Sequence, residues 1–271
     1  MHKEEKIVNR QLNKPNYRVL IRLLTVLVSA VALKPAWAPS AQAAGNVELR
    51  VEHGNAIITG DEGDNNIIVI QACCQTVIVT GRAETTVNGS SGRSEVEGVT
   101  HDIDIKTKGG DDFVRVEVVP GFPGIPGDLK IDTGQGEDII ELLGVTVADD
   151  TRIETGDGND IIFIDGVLSP NGFSQSDFAG KFTLKSGSGD DLLEFHHTVF
   201  RSDVDVRMED GIDGVCNTED SEFLHPERAR FDGGAPSGFP GDGFVAPAIE
   251  FTHINNFEDF PDDCSFLGGR D

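Results

Sequence analysis

The chain has 271 residues with 22 Lys+Arg against 47 Asp+Glu, a formal net charge of −25. Residues 1–43 hold seven of the basic side chains and two of the acidic ones, which leaves 15 against 45 on the remainder, a net −30. Such a surface repels nucleic acid and anionic lipid, and no nucleic-acid partner is expected. Its regularly placed Ile, Val and Leu argue against a disordered acidic chain.

In chain order, residues 1–43 read as a secretory signal peptide. Lys3, Lys6, Arg10, Lys14, Arg18 and Arg22 form a basic leader, residues 23–33 an apolar run, and Ala41-Gln42-Ala43 a small-x-small cleavage site. The run is too short to span a bilayer comfortably, and no later segment is apolar enough to do so; the alternative is an uncleaved N-terminal anchor. The expected localisation is secreted or cell-surface. Residues 44–100 read as a β-rich cap and first repeat, with VELRV, NAIITG, NNIIVI and TVIVTG as strands.

A repeat of strand, Gly-Asp turn and strand returns along the chain, and residues 101–216 read as its solenoid part. It appears first as IITGDEGDNNIIVI from Ile57, then as IKTKGGDDFVRV from Ile105 and IDTGQGEDIIEL from Ile131. Further copies are IETGDGNDIIFI from Ile153 and LKSGSGDDLLEF from Leu184, with degraded copies from Val206 and Ala229. One copy is weak, because Gly and Asp are common in turns, but several in one setting are strong. Copies about 22 residues apart fit a coil of two or three short strands, which predicts a parallel β-solenoid with the Gly-Asp turns stacked on one edge. Period-2 alternation predicts Ile131, Ile140, Leu142, Ile153, Ile162, Ile164, Leu184, Leu193 and Phe195 inside, and Lys130, Asp132, Arg152, Glu154 and Lys185 outside. Residues 120–126 and 170–176, which carry Pro, are expected to be loops. Residues 217–271, rich in Gly, Pro and acid, are expected to cap the C-terminal end, with one strand-like piece at 248–253.

Stacked G-x-G-x-D turns bring carboxylates close together. Two of them about 5 Å apart repel by roughly 3 kcal/mol at an effective dielectric near 20. A divalent ion between coils reverses that sign. Turn carbonyls plus Asp oxygens supply the six or more hard donors that Ca²⁺ prefers, in an arrangement less suited to Mg²⁺. The expected metal ligands are Asp112, Asp138, Asp160 and Asp191, with Asn65 as a neutral oxygen in the first copy. Asp111, Asp157 and Asp190 are second choices, as are Glu137 and Asp213, the last in a poor copy.

TGDGND, TGQGED and SGSGDD resemble the hemolysin-type calcium-binding (RTX) repeats, G-G-x-G-x-D-x-U-x with U apolar. Gly60, Gly63, Asn65 and Ile67 fit that frame, as do Gly134, Gly136, Asp138 and Ile140. Gly156, Gly158, Asp160, Ile162 and Gly187, Gly189, Asp191, Leu193 fit it too. The resemblance implies Ca²⁺ held between stacked turns and folding after export. This chain departs from the family in carrying one motif per longer coil, an N-terminal leader, and Lys108 in place of a turn glycine.

Other patterns carry less. Cys73, Cys74, Cys216 and Cys264 allow three disulfide pairings, and no C-x-x-C spacing supports zinc. His196 and His197 on adjacent strand positions face opposite sides and cannot readily share one ion. The function expected is an exported calcium-binding structural, adhesive or matrix module rather than an enzyme, with extracellular polysaccharide or a cell-surface protein as partner. The alternative is a calcium-dependent polysaccharide lyase or hydrolase using Arg115, Lys130, Arg152 or Lys185. Against it, the chain's one Trp and one Tyr, Trp37 and Tyr17, both lie in the leader.

Overall fold

The computed structural model describes residues 44–73, 75–169, 172–217, 220–234, 242–245 and 251–257. The signal peptide expected at 1–43, Cys74, Cys264 and most of the strand expected at 248–253 lie outside them. The described chain is all-β with long parallel sheets; its one helical element is the 3-10 turn Pro226–Arg228. Among the described residues no helix is long and apolar enough to cross a membrane.

From residue 103 onward the chain visits its sheets in a fixed cycle. Ile103–Lys106 belongs to an 11-stranded sheet and Phe113–Val118 to a 9-stranded one. The next circuit repeats this with Leu129–Gln135 and Ile139–Leu143, then adds Thr146–Val147 in a 4-stranded third sheet. Three further visits to the first sheet follow as Thr151–Asp157, Phe182–Ser188 and Val204–Asp210, and all of these strands pair in parallel. The parallel pairing continues past residue 216, through Ala229–Asp232 and His253–Asn255 in the first sheet and Gly243–Val245 in the second. Within the segment 217–271, expected to cap the C-terminal end, these described strands pair with the same sheets.

Pairing is antiparallel at the N-terminal end, where Asn46–Glu52 runs against Asn55–Thr59 and Asn66–Gln71 against Val77–Gly81. A terminal sheet edge offers unpaired N–H and C=O groups, and short antiparallel strands such as Thr86–Val87 with Ser90–Ser91 cover part of it. The segment expected as a loop at 170–176 includes strands instead. Gly172–Ser174 folds back on Val167–Ser169 as a hairpin, and Ser176–Phe178 joins the third sheet.

Alternation decides which side chains enter the core. Ile105, Ile131, Ile153, Leu184, Val206 and Phe231 stand in register on the first sheet, each at most 1% exposed. Ile67, Val114, Ile140, Ile162, Leu193 and Val215 form the matching row on the second and are fully buried. Each buried side chain of this size contributes roughly 1.5–3 kcal/mol. Where the third sheet is added, the core becomes aromatic: Phe178, Phe182, Phe195, Phe200 and Phe223 pack with ring centroids 4.7 to 6.2 Å apart. Larger side chains pack where the strands of the third sheet are added.

Candidate functional site

The Gly-Asp turns join each first-sheet strand to the following second-sheet strand, and register stacks them. Gly134 pairs with Gly156 and Gly156 with Gly187. All three have φ between 98° and 106°, as do few residues other than glycine. The stacking is close: a Cβ at Gly136 would lie 1.9 Å from the Gly110 carbonyl oxygen, and one at Gly158 1.8 Å from that of Gly136. Lys108 occupies the register position of Gly134 at φ 82° and Glu209 that of Gly187 at φ 71°. Two side chains are thus held in the left-handed region, each at a cost of about 1–2 kcal/mol.

Each turn ends on an acidic residue whose side chain points inward. Asp112, Asp138, Asp160, Asp191 and Asp213 are at most 2% exposed. Their Oδ1 atoms form a ladder along the stack. The backbone N–H of Asn65 donates to Asp112 at 2.7 Å, Asp112 to Asp138 at 2.8 Å, and Asp138 to Asp160 at 2.8 Å. Asp160 donates to Asp191, Asp191 to Asp213, and Asp213 to Asp242, each at 2.8 Å. Successive rungs are 47, 26, 22, 31, 22 and 29 residues apart, so circuits of very different length return to the same point.

The other carboxylate oxygen, Oδ2, of Asp112, Asp138, Asp160, Asp191 and Asp213 is buried without a hydrogen-bond partner of good geometry. Hydroxyls of Thr107, Thr133, Thr155 and Ser186 stand beside the first four carboxyls and favour their ionised form. These hydroxyls already donate to the carbonyls of Thr133, Thr155, Ser186 and Met208 on the next circuit. The charges that weigh most on the row are Asp64, Glu137, Asp157, Asp190, Asp242 and the row itself, all negative. Burial therefore dominates. It pushes Asp112 and Asp191 up to about 7 and Asp138 and Asp213 up to about 8, and raises Asp160 in the same direction.

The first turn shows which chemistry suits this position. Asn65 is fully buried, and its side-chain Nδ2 lies 2.6 Å from the Gly63 carbonyl oxygen and 3.1 Å from that of Asp61. The Thr107 carbonyl at 3.2 Å and Asp112 Oδ1 at 3.3 Å complete a set of four oxygens around one nitrogen. A positively polarised group sits where turn and strand oxygens converge.

The remaining expected ligands fall outside this inner row. Asp111 and Asp190 belong to an outer row, in which Asp111 Oδ1 accepts from Glu137 N at 3.2 Å and Asp190 Oδ1 from Ile212 N at 3.0 Å. Asp157, exposed, accepts from Gln135 Nε2 at 3.2 Å and Ser188 Oγ at 2.8 Å. Among the described residues no three His, Cys, Asp or Glu side chains converge as a metal cluster. Any ion in the inner row would take one carboxylate from each of two turns and complete its shell with backbone carbonyls.

Sequence reading ranked Asp213 low and missed Asp242 altogether. The signal was present in the shared frame Asp213-Gly214-Val215 and Asp242-Gly243-Phe244, acid first and core residue third. It also missed a second acidic row at the opposite end of the first-sheet strands. There Asp102 Oδ1 accepts from Asp128 N, Asp128 Oδ1 from Asp150 N, each at 3.0 Å, and Asp150 Oδ1 from Lys181 N at 2.8 Å.

His196 and His197 lie between the strands Leu192–Phe195 and Thr198–Phe200 rather than in a strand as expected, and they engage different acids, Glu194 at 3.5 Å and Asp165 at 2.8 Å. Of the basic residues considered for catalysis, Arg115 pairs with Glu141, Lys130 with Asp102 and Asp128, and Arg152 with Glu154. Cys216 is buried and disulfide-bonded, and Cys73 is an exposed free thiol. No protein-family model, no curated protein and no solved structure matches the chain.

Proposed function

We propose that the chain winds as a parallel β-solenoid whose inner aspartate row binds Ca²⁺, and that it serves outside the cell as a structural, adhesive or matrix module. One observation carries the reading: five buried carboxylates in a column, each with one oxygen bonded to a backbone N–H and the other unpartnered, with no cationic side chain paired to them among the described residues. Burying a bare carboxylate is costly, and a column of them more so. A divalent ion held by carboxylates of adjacent turns and by turn carbonyls removes that cost, and flexible all-oxygen coordination suits Ca²⁺ better than Mg²⁺. The resemblance of TGDGND and TGQGED to hemolysin-type repeats supports the same ion. The basic leader, apolar run and small-x-small site support export, and the Cys216 disulfide fits an oxidising compartment.

The test is thermal unfolding of the mature chain at pH 7.5 with EDTA, Ca²⁺ or Mg²⁺. EDTA lowers the melting temperature, and Ca²⁺ restores it more fully than Mg²⁺ at equal concentration. Identical melting curves in all three buffers overturn the proposal.

A further inference from the structure

We infer that Asn65 is the built-in terminus of the cation column: its side-chain amide takes the place that an ion takes in the following turns. This rests on the cation reading above and narrows it, because it removes one expected ligand and sets where the column begins.

The inference follows from what surrounds the amide. Its nitrogen carries two hydrogens but has four oxygens within 3.3 Å, drawn from two turn carbonyls, a strand carbonyl and a carboxylate. An acceptor atom in that place would face four others of its own sign. The frame repeats along the stack. Four and two residues before Asn65 stand Asp61 and Gly63; the same offsets from Asp112 give Lys108 and Gly110, and from Asp138 give Gly134 and Gly136. The next-circuit partners Thr107 and Asp112 have Thr133 and Asp138 as their counterparts. At each of those later positions the side chain is a carboxylate, which brings no hydrogen, and its Oδ2 is buried without a partner. The first turn thus carries its own positively polarised group, although Asn65 Oδ1 is, like those Oδ2 atoms, buried without a partner; the turns of Asp112, Asp138 and Asp160 bring no such group.

A neutral terminus also suits the position. Asn65 is the first rung; on its outer side, among the described residues, the segment from Ala44 to Asn46 lies against the turn in place of another Gly-Asp turn, with the Gly45 N–H donating to the Asp64 carbonyl at 3.0 Å.

The experiment exchanges the two residue types. Calcium titration by calorimetry is run on the mature wild-type chain, on Asn65→Asp and on Asp112→Asn, with melting of each in EDTA. The expected results are one more bound ion in Asn65→Asp and one fewer in Asp112→Asn. In EDTA, Asn65→Asp melts below the wild type and Asp112→Asn above it. A wild type that binds Ca²⁺ while folded Asn65→Asp gains no ion overturns this inference alone, as does an Asp112→Asn chain that melts lower in EDTA. A wild type that binds no Ca²⁺ overturns the cation reading, and this inference with it.

Discussion

Two acidic rows run along the same stack of strands, and they solve the same problem differently. Both use an aspartate Oδ1 to accept a backbone N–H from the neighbouring circuit at 2.7 to 3.0 Å. At the corner row the side chains are partly open to water, and Lys130 reaches Asp102 at 3.1 Å and Asp128 at 2.9 Å. Burial raises the Asp102 carboxyl, but the Asp128 N–H and the Lys130 ammonium outweigh it and leave it below its usual value. In the inner row the same N–H bond is present, yet burial wins and the carboxyls rise to about 7 or 8. Backbone hydrogen bonding therefore suffices to build an aspartate ladder. Whether the ladder is at ease depends on a cation, supplied by the chain at the corner and, on the proposed reading, by solution inside.

The sharpest way to break this comparison is pH. An unfolded aspartate ionises near 3.8, and the inner row in the folded, ion-free chain only near 7 to 8. The folded chain holds more protons between those values, so this part of its stability is complete below about 3.8 and lost as pH rises through the folded values. The slope is about 1.4 kcal/mol per pH unit for each group. In EDTA, melting temperature is expected to fall steeply from pH 5 to pH 8. Saturating Ca²⁺ is expected to flatten or reverse the trend, since ion binding draws on the ionised form. A flat profile in EDTA refutes the inner-row account.

Substitution separates the rows next. Asp138→Ala with Asp160→Ala is expected to abolish most of the calcium-induced rise in melting temperature. Asp102→Ala with Asp128→Ala is expected to destabilise by about 1 kcal/mol per lost hydrogen bond while leaving that rise intact. Equal calcium responses in the two double variants would remove the distinction.

Two smaller effects refine it. Lys108→Gly relieves an exposed left-handed lysine in the turn before Asp112, and urea unfolding is expected to show a gain of about 1 kcal/mol after the glycine's entropic cost. Lys130→Met takes the cation from the corner row. Its side chain is 41% exposed, so the loss is expected to be under about 1 kcal/mol and to shrink further at high salt. A salt-independent loss of several kcal/mol would mean that the corner row, too, depends on its cation for folding.

Much of this architecture was legible in the residues. Period-2 alternation placed Ile131, Ile153 and Leu184 inside and Lys130 and Arg152 outside, because a strand sends successive side chains to opposite faces. Glycine spacing located the turns, since positive φ and a carbonyl within 2 Å of a would-be Cβ tolerate little else. Beyond residue 216 the continuation of the sheets was legible only at the degraded copy from Ala229; Phe244 lies in Gly- and Pro-rich sequence whose local preference is for loops.

What tertiary structure alone decided was the environment of each acid. Asp111 and Asp112 are neighbours in sequence, yet one is exposed and the other 2% exposed. The same composition gave no sign that Asp128 has a lysine within reach and Asp138 none. Nor did it show Asn65 closing the first turn through oxygens up to 47 residues away. Local pattern sets which way a side chain points, but burial and charge arise from circuits of 22 to 47 residues meeting in space, and solvation answers only to that meeting.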